Sequence, residues 1–226
     1  MKAGLFLTGT DTGCGKTYVS CQILKYLDSI GLSVVGLKPI ASGADTSSGR
    51  LVNEDVSLLH QYSNVNLNQL ENCRYIFPEP CSPHIAAHLN GEKINLNNIC
   101  QFVDKFKAIS DIILVEGIGG WHVPINSEAR VCELAEKLNL PVLLVVSNKL
   151  GCLNHASLTF DAISTVNVNF CGWILNRIET NLVASSAVET SLEKIFGCAP
   201  TLTVDFENED FDLTQFEAFQ NVIGAV

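Results

Sequence analysis

After a short apolar run, the chain reads Gly9-Thr10-Asp11-Thr12-Gly13-Cys14-Gly15-Lys16-Thr17 and passes straight into a helical pattern. Small residues at this spacing let successive backbone N–H groups turn inward as an anion nest, and the helix N-terminus adds its dipole. Lys16 is placed to reach terminal phosphates, and the Thr17 hydroxyl to ligate Mg2+. The pattern is Gx5GKT, one residue longer than the usual GxxxxGK[ST], and the physics survives the change. An ordinary glycine-rich strand-to-helix turn needs neither the Lys nor the Thr. A nucleoside triphosphate is the expected ligand.

Other residues can complete such a site. Glu116 closes the apolar run in IILVEGIGGW, where a phosphate-binding protein keeps a carboxylate on the metal side; an acid there also serves as a loop cap. Asp55 is a helix-start acid that spacing alone would not single out. Lys38, in GLKPIASG, reads equally as a fixed cation beside a transferring phosphate or as a solvated lysine. Asn176 ends WILN and suits either an adenine edge or a turn. His84 and His88 lie four apart, but no third ligand stands at a telling spacing, and ordinary helix residues are the better reading. GxSxG is absent, so a serine hydrolase has no support.

The elements that must position these groups alternate. Residues 5–8, 34–38, 112–116, 141–146 and 170–176 read as short strands apolar on both faces; 16–30, 54–60, 97–107, 130–138, 154–166 and 183–196 read as helices. Gly31 and Gly197 are stops for the first and last of these. Strand alternating with helix predicts an α/β fold: one doubly wound, mainly parallel sheet with helices on both faces, in a single domain over 1–226. The stretches 40–53 and 61–83 read as connections, and 205–217 as an acidic, solvated surface segment.

Composition narrows the partners. With 226 residues, 47% hydrophobic and 17% charged, the chain can bury roughly 70% of its unfolded surface, which excludes intrinsic disorder. A formal charge of −10 argues against wrapping nucleic acid or coating an anionic membrane, both of which need a basic face. Mean hydropathy is +0.24, yet no apolar run approaches the roughly 20 residues of a spanning helix, and the N-terminus is too weak for a signal peptide. A cytoplasmic protein is expected. Nine cysteines without a CxxC read as reduced thiols used in packing.

Taken together, GTDTxxGKT, GLKPIASG, Asn53-Glu54-Asp55, CSPHIAA, VEGIGGW, KLGCLNHA and GWILN resemble the dethiobiotin synthetase family, and the matching blocks run from Leu5 to about Asn176. The resemblance implies a homodimeric, ATP-dependent cyclo-ligase of biotin biosynthesis. It would act on 7,8-diaminononanoate and CO2, with Mg2+ as cofactor and the active site at the subunit interface. It places the ATP phosphates on Gly13, Cys14, Gly15, Lys16 and Thr17, with Tyr18, Gly117, Ile118, Gly119, Asn176 and Arg177 completing the nucleotide site. Thr17, Asp55 and Glu116 would surround Mg2+; Lys38, Lys16 and Thr12 would be catalytic, with Ser42 on the carbamate. Gly151, Cys152, Leu153 and Asn154, opening a helix, would hold the distal carboxylate of the neighbouring subunit's substrate.

The chain departs from that pattern twice. Gly13 stands where many relatives carry Glu, and Thr201–Phe206 lacks the proline of a Gly-x-Ile-Pro segment that walls the adenine. Two rival readings share the phosphate loop. A nucleotide-switched partition ATPase would carry a lysine where Asp11 stands. A related amide-forming ligase for another acid is disfavoured by Lys38-Pro39 with Ser42.

Overall fold

Side chains along five strands alternate between two separate hydrophobic clusters, which is how the computed structural model of the chain buries a sheet on both faces. It describes residues 3–47, 49–67, 71–178 and 185–205. In β1 (Ala3–Gly9), Leu5 and Leu7 face one cluster and Phe6 the other. In β5 (Ile112–Glu116), Ile112 and Leu114 oppose Ile113 and Val115; in β6 (Val142–Ser147), Leu143 and Val145 oppose Val142, Leu144 and Val146. Such strands carry no polar face for sequence to reveal, which is why they read as continuous apolar runs.

With β2 (Val34–Leu37), β7 (Phe170–Arg177) and β8 (Leu202–Asp205) they form a six-stranded parallel sheet in the order β2-β5-β1-β6-β7-β8. Helices α1 (Lys16–Ser29) and α2 (Glu54–Gln61) pack on one face. On the other lie α3 (Pro83–Leu89), α4 (Leu96–Lys107), α5 (Val131–Leu138), α6 (Cys152–Ser164) and α7 (Ser185–Phe196). The chain leaves β1 toward β2, returns to β5 and then crosses to β6. The carboxyl end of β1 is therefore a topological switch point, where open α/β sheets bind ligands.

Two stretches expected to be connections contain structure. Between 40 and 53 lies β3 (Ile40–Ala41), and between 61 and 83 lies β4 (Tyr75–Ile76); the two pair in parallel. Two-residue strands have no periodicity to read. The backbone of Pro39 accepts from Arg74 and Tyr75, so this small sheet pins the segment from Lys38 to Ser42. Helix α3 carries His84 and His88, read above as ordinary helix residues, and starts at Pro83, the first-turn position that proline favours. β8 arises within 201–206; Phe206 and the rest of the acidic segment lie outside the described residues, as do 183–184 of the last expected helix. No cysteine is in a disulfide, and five of the nine are buried. Among the described residues no helix is long and apolar enough to cross a membrane.

Candidate active site

The loop after β1 turns into α1 through Gly15, whose φ of 86° is left-handed; a Cβ there would also meet the Asn176 amide nitrogen at 2.0 Å. Glycine is required at that point on both counts. Asn176, at the end of β7, donates its side-chain amide to the Cys14 carbonyl at 2.9 Å, and so clamps the loop from beneath. Lys16 arches back and donates to the Asp11 carbonyl at 2.9 Å. The Asp11 carboxylate pairs with Lys149, in the loop that leads from β6 to α6.

Beyond the loop, three strand and helix ends converge. Glu116 ends β5 and is buried; Lys38 follows β2 and is only 3% exposed; Asp55 sits in the first turn of α2. Asn53 sets that turn by capping α2 through the Val56 N–H, while its amide donates to the Ser42 carbonyl at 3.2 Å. The Lys38 ammonium lies 2.6 Å from Glu116 Oε1 and 2.9 Å from Asp55 Oδ2. Thr17 Oγ1 lies 2.8 Å from Asp55 Oδ1 and 2.9 Å from Glu116 Oε1. The fifth member was not anticipated: Ser20, one turn into α1, donates to Glu116 Oε2 at 2.8 Å.

The electrostatics follow from burial and neighbours. Burial alone would lower the Lys38 pKa, but the charges of Glu116 and Asp55 outweigh it and hold the ammonium above the ordinary lysine value. Burial would raise Asp55, yet the Lys38 charge and hydrogen bonds from Lys38 and Thr17 hold it below the ordinary aspartate value. Cys21, next to Ser20, is pushed up to about 12 by burial and then by Glu116 and Asp55, so it is a packed thiol and no nucleophile.

These groups line a cleft of about 720 Å³, inside the size range of small-molecule sites. Thr12, Gly13, Gly15, Lys16, Thr17 and Tyr18 form one wall; Lys38, Ser42, Asp55 and Glu116 the floor; Ile118 and Gly119 the rim. Other expected residues stand elsewhere. Cys14 is buried under the loop, and Gly117 donates its N–H to the Leu7 carbonyl at 2.8 Å, beneath the rim. Asn176 is behind the loop, and Arg177 is bonded to Glu189 at 3.0 Å and Asp205 at 2.7 Å. Gly151–Asn154 open α6 outside this cleft; Gly151 is in the left-handed region and no side chain caps the helix. A second cavity of about 490 Å³, lined in part by Asp11, Trp121 and Leu158, meets the first at Thr12 and Val123.

Sequence hid Ser20 because a serine inside a helix carries no distinguishing signal, and its partner is 96 residues away. Lys149 was hidden likewise, 138 residues from Asp11. Asn53 had a readable signal: an Asn followed at once by two acids is a helix start.

The AAA domain family matches residues 3–205. The ATP-dependent dethiobiotin synthetase of Nitrosospira multiformis is 39% identical over 198 residues, covering 88% of this chain and 86% of that protein. The enzyme of that name from Wigglesworthia glossinidia brevipalpis is 38% identical over 191 residues, covering 84% of each. Among solved structures, a ParA family ATPase from Chlorobium tepidum superposes with a TM-score of 0.56 at 17% identity, over 99% of this chain and 91% of that one. The septum site-determining protein MinD of Pyrococcus horikoshii, complexed with Mg-ADP, gives 0.55 at 17% identity, over 96% and 86%. At that identity the likeness is one of fold.

Proposed function

The chain belongs to the ATP-dependent dethiobiotin synthetases, a family of ligases, and on that premise we propose that it closes a cyclic urea on 7,8-diaminononanoate with CO2 and ATP. The observation that carries the mechanism is the buried Lys38 ammonium, held between two carboxylates in the same cleft as the phosphate loop, Thr12 and Ser42.

One substrate amine adds to CO2 and loses a proton, giving a carbamate. Ser42 and Thr12 orient it, and Lys38 and Lys16 offset the charge that accumulates when carbamate and γ-phosphate approach. A carbamate oxygen attacks the γ-phosphorus as the bond to ADP breaks, giving a carbamic–phosphoric mixed anhydride. The second amine then attacks the carbamoyl carbon, phosphate leaves with its bonding pair, and the ring nitrogen gives up a proton. Without ligands, the charges of Glu116 and Asp55 hold Lys38 as a cation.

Among the described residues no three His, Cys, Asp or Glu come together to hold a metal. A cation here would instead be held by two carboxylates and a hydroxyl, from Asp55, Glu116 and Thr17. The Thr17 hydroxyl lies 2.8 Å from Asp55 and 2.9 Å from Glu116, and a set of such oxygens fits Mg2+, a hard ion that takes oxygen ligands. Bound there, Mg2+ would supply charge neutralisation to the phosphates. The open turn and exposed apolar residues at α6 support a homodimer, in which the Gly151–Asn154 turn of one copy meets the distal carboxylate of the other's substrate; the reading is completed by single-domain chains working in the cytoplasm. Leu150, beside that turn, is 92% exposed, and Leu158 on the same helix is also exposed.

Short reactions with [18O]bicarbonate test the route. Attack by a carbamate oxygen transfers one labelled oxygen to the released phosphate. Unlabelled phosphate, with label retained in the starting bicarbonate, would exclude the mixed anhydride.

A further inference from the structure

Both oxygens of Glu116 are engaged, and by different groups. Oε1 is shared by Thr17 and Lys38, while Oε2 is held by Ser20. Ser20 has no exposed surface and sits among Val19, Cys21, Ile23 and Leu24, in the part of α1 packed against the sheet. A serine there weakens the helix slightly relative to alanine. A mid-helix serine commonly turns its hydroxyl to the carbonyl four residues back; this one donates across to the end of β5. It is three residues after Thr17, so the two hydroxyls share one helix face and grip the same carboxylate from two positions.

We propose that Ser20 is a positioning residue for the cation: by donating to Glu116 Oε2 it fixes the rotation of the carboxylate, so that Oε1 is presented to the cluster of Thr17, Asp55 and Lys38. Without that bond the carboxylate can turn, and Oε2 is left buried without a donor. Partners of this kind behind a metal ligand typically change metal affinity by about 10–100-fold when removed. The inference rests on the assignment of Thr17, Asp55 and Glu116 to Mg2+ made above.

The test is Ser20→Ala, which suits a helix interior and adds no volume, with Ser20→Cys as a weaker donor of similar shape. Mn2+ binding is titrated by electron paramagnetic resonance in the presence of ADP. Ser20→Ala should weaken Mn2+ by about 10–100-fold, with Cys between Ala and Ser, while ADP affinity in EDTA is unchanged. In turnover, KM for Mg2+ should rise far more than kcat falls. Wild-type Mn2+ affinity in Ser20→Ala, whatever its melting temperature, reduces Ser20 to packing and overturns the inference alone. Absence of Mn2+ binding in the wild-type protein with ADP would overturn the metal assignment and the inference with it.

Discussion

The floor of the cleft and the turn that opens α6 are both expected to hold charged parts of the reactants, but they are built differently. At the floor, Lys38 bonds to Asp55 and Glu116, Thr17 and Ser20 of α1 bond to these carboxylates from the side, and the strand ends carrying Lys38 and Glu116 are fixed by the sheet and by β3 and β4. The α6 turn is tied to the phosphate loop through the ion pair of Lys149 with Asp11, both partly exposed. Leu150 beside it points into open space. A floor whose charges already satisfy one another is preorganised and gains from a ligand by redistribution of its bonds. In the homodimer proposed above, the α6 turn would be completed from outside.

If that contrast is right, damage should divide the same way. Lys38→Gln removes the ammonium on which two carboxylates converge; turnover should fall by at least about 100-fold while nucleotide affinity is kept, measured by steady-state kinetics and calorimetry. Near-normal turnover would take Lys38 out of the mechanism. At the α6 turn, Asn154→Ala should raise KM for diaminononanoate by about tenfold with kcat little changed, the scale of one hydrogen bond to a charged group. An unchanged KM would remove Asn154 from substrate binding.

Smaller effects sharpen the comparison. Because Lys38 holds the Asp55 carboxyl below its unfolded value, the stability this provides is fully present above about pH 4 and lost as pH falls through the folded value. Asp55→Asn should therefore show a shallower loss of urea stability between neutral and acid pH than the wild type; equal slopes would mean the pair does not act on folding. Lys149→Met breaks a partly exposed ion pair and should cost at most about 1 kcal/mol in denaturant unfolding. A much larger loss would make the α6 turn as tightly built as the floor.

The distinction between the regions also marks what sequence could show. β1, its loop and α1 were legible because an apolar run, a glycine-rich turn and a helical period follow without interruption, and β5 was legible to the residue. Lys38 and Glu116 were read as strand-end charges that the family resemblance assigned to one site, but their direct contact follows from the strand order, which places β2 beside β5. Ser20 and Lys149 stayed hidden because each is defined by a partner far along the chain. Arg177, expected at the nucleotide, is turned to Glu189 on α7 and Asp205 on β8, acids whose proximity only the folded edge creates.

Fold alone does not separate this chain from the ParA and MinD ATPases it superposes on. Membership of the dethiobiotin synthetases does; at Asp11, where a partition ATPase is expected to carry a lysine, this loop has an acid that pairs with Lys149. The most direct measurement is ADP release from MgATP and bicarbonate, with and without 7,8-diaminononanoate, the product being weighed by mass spectrometry. The account predicts ADP release that depends on the diamine and a cyclic urea product. ATP turnover indifferent to the diamine, with no urea formed, would contradict it.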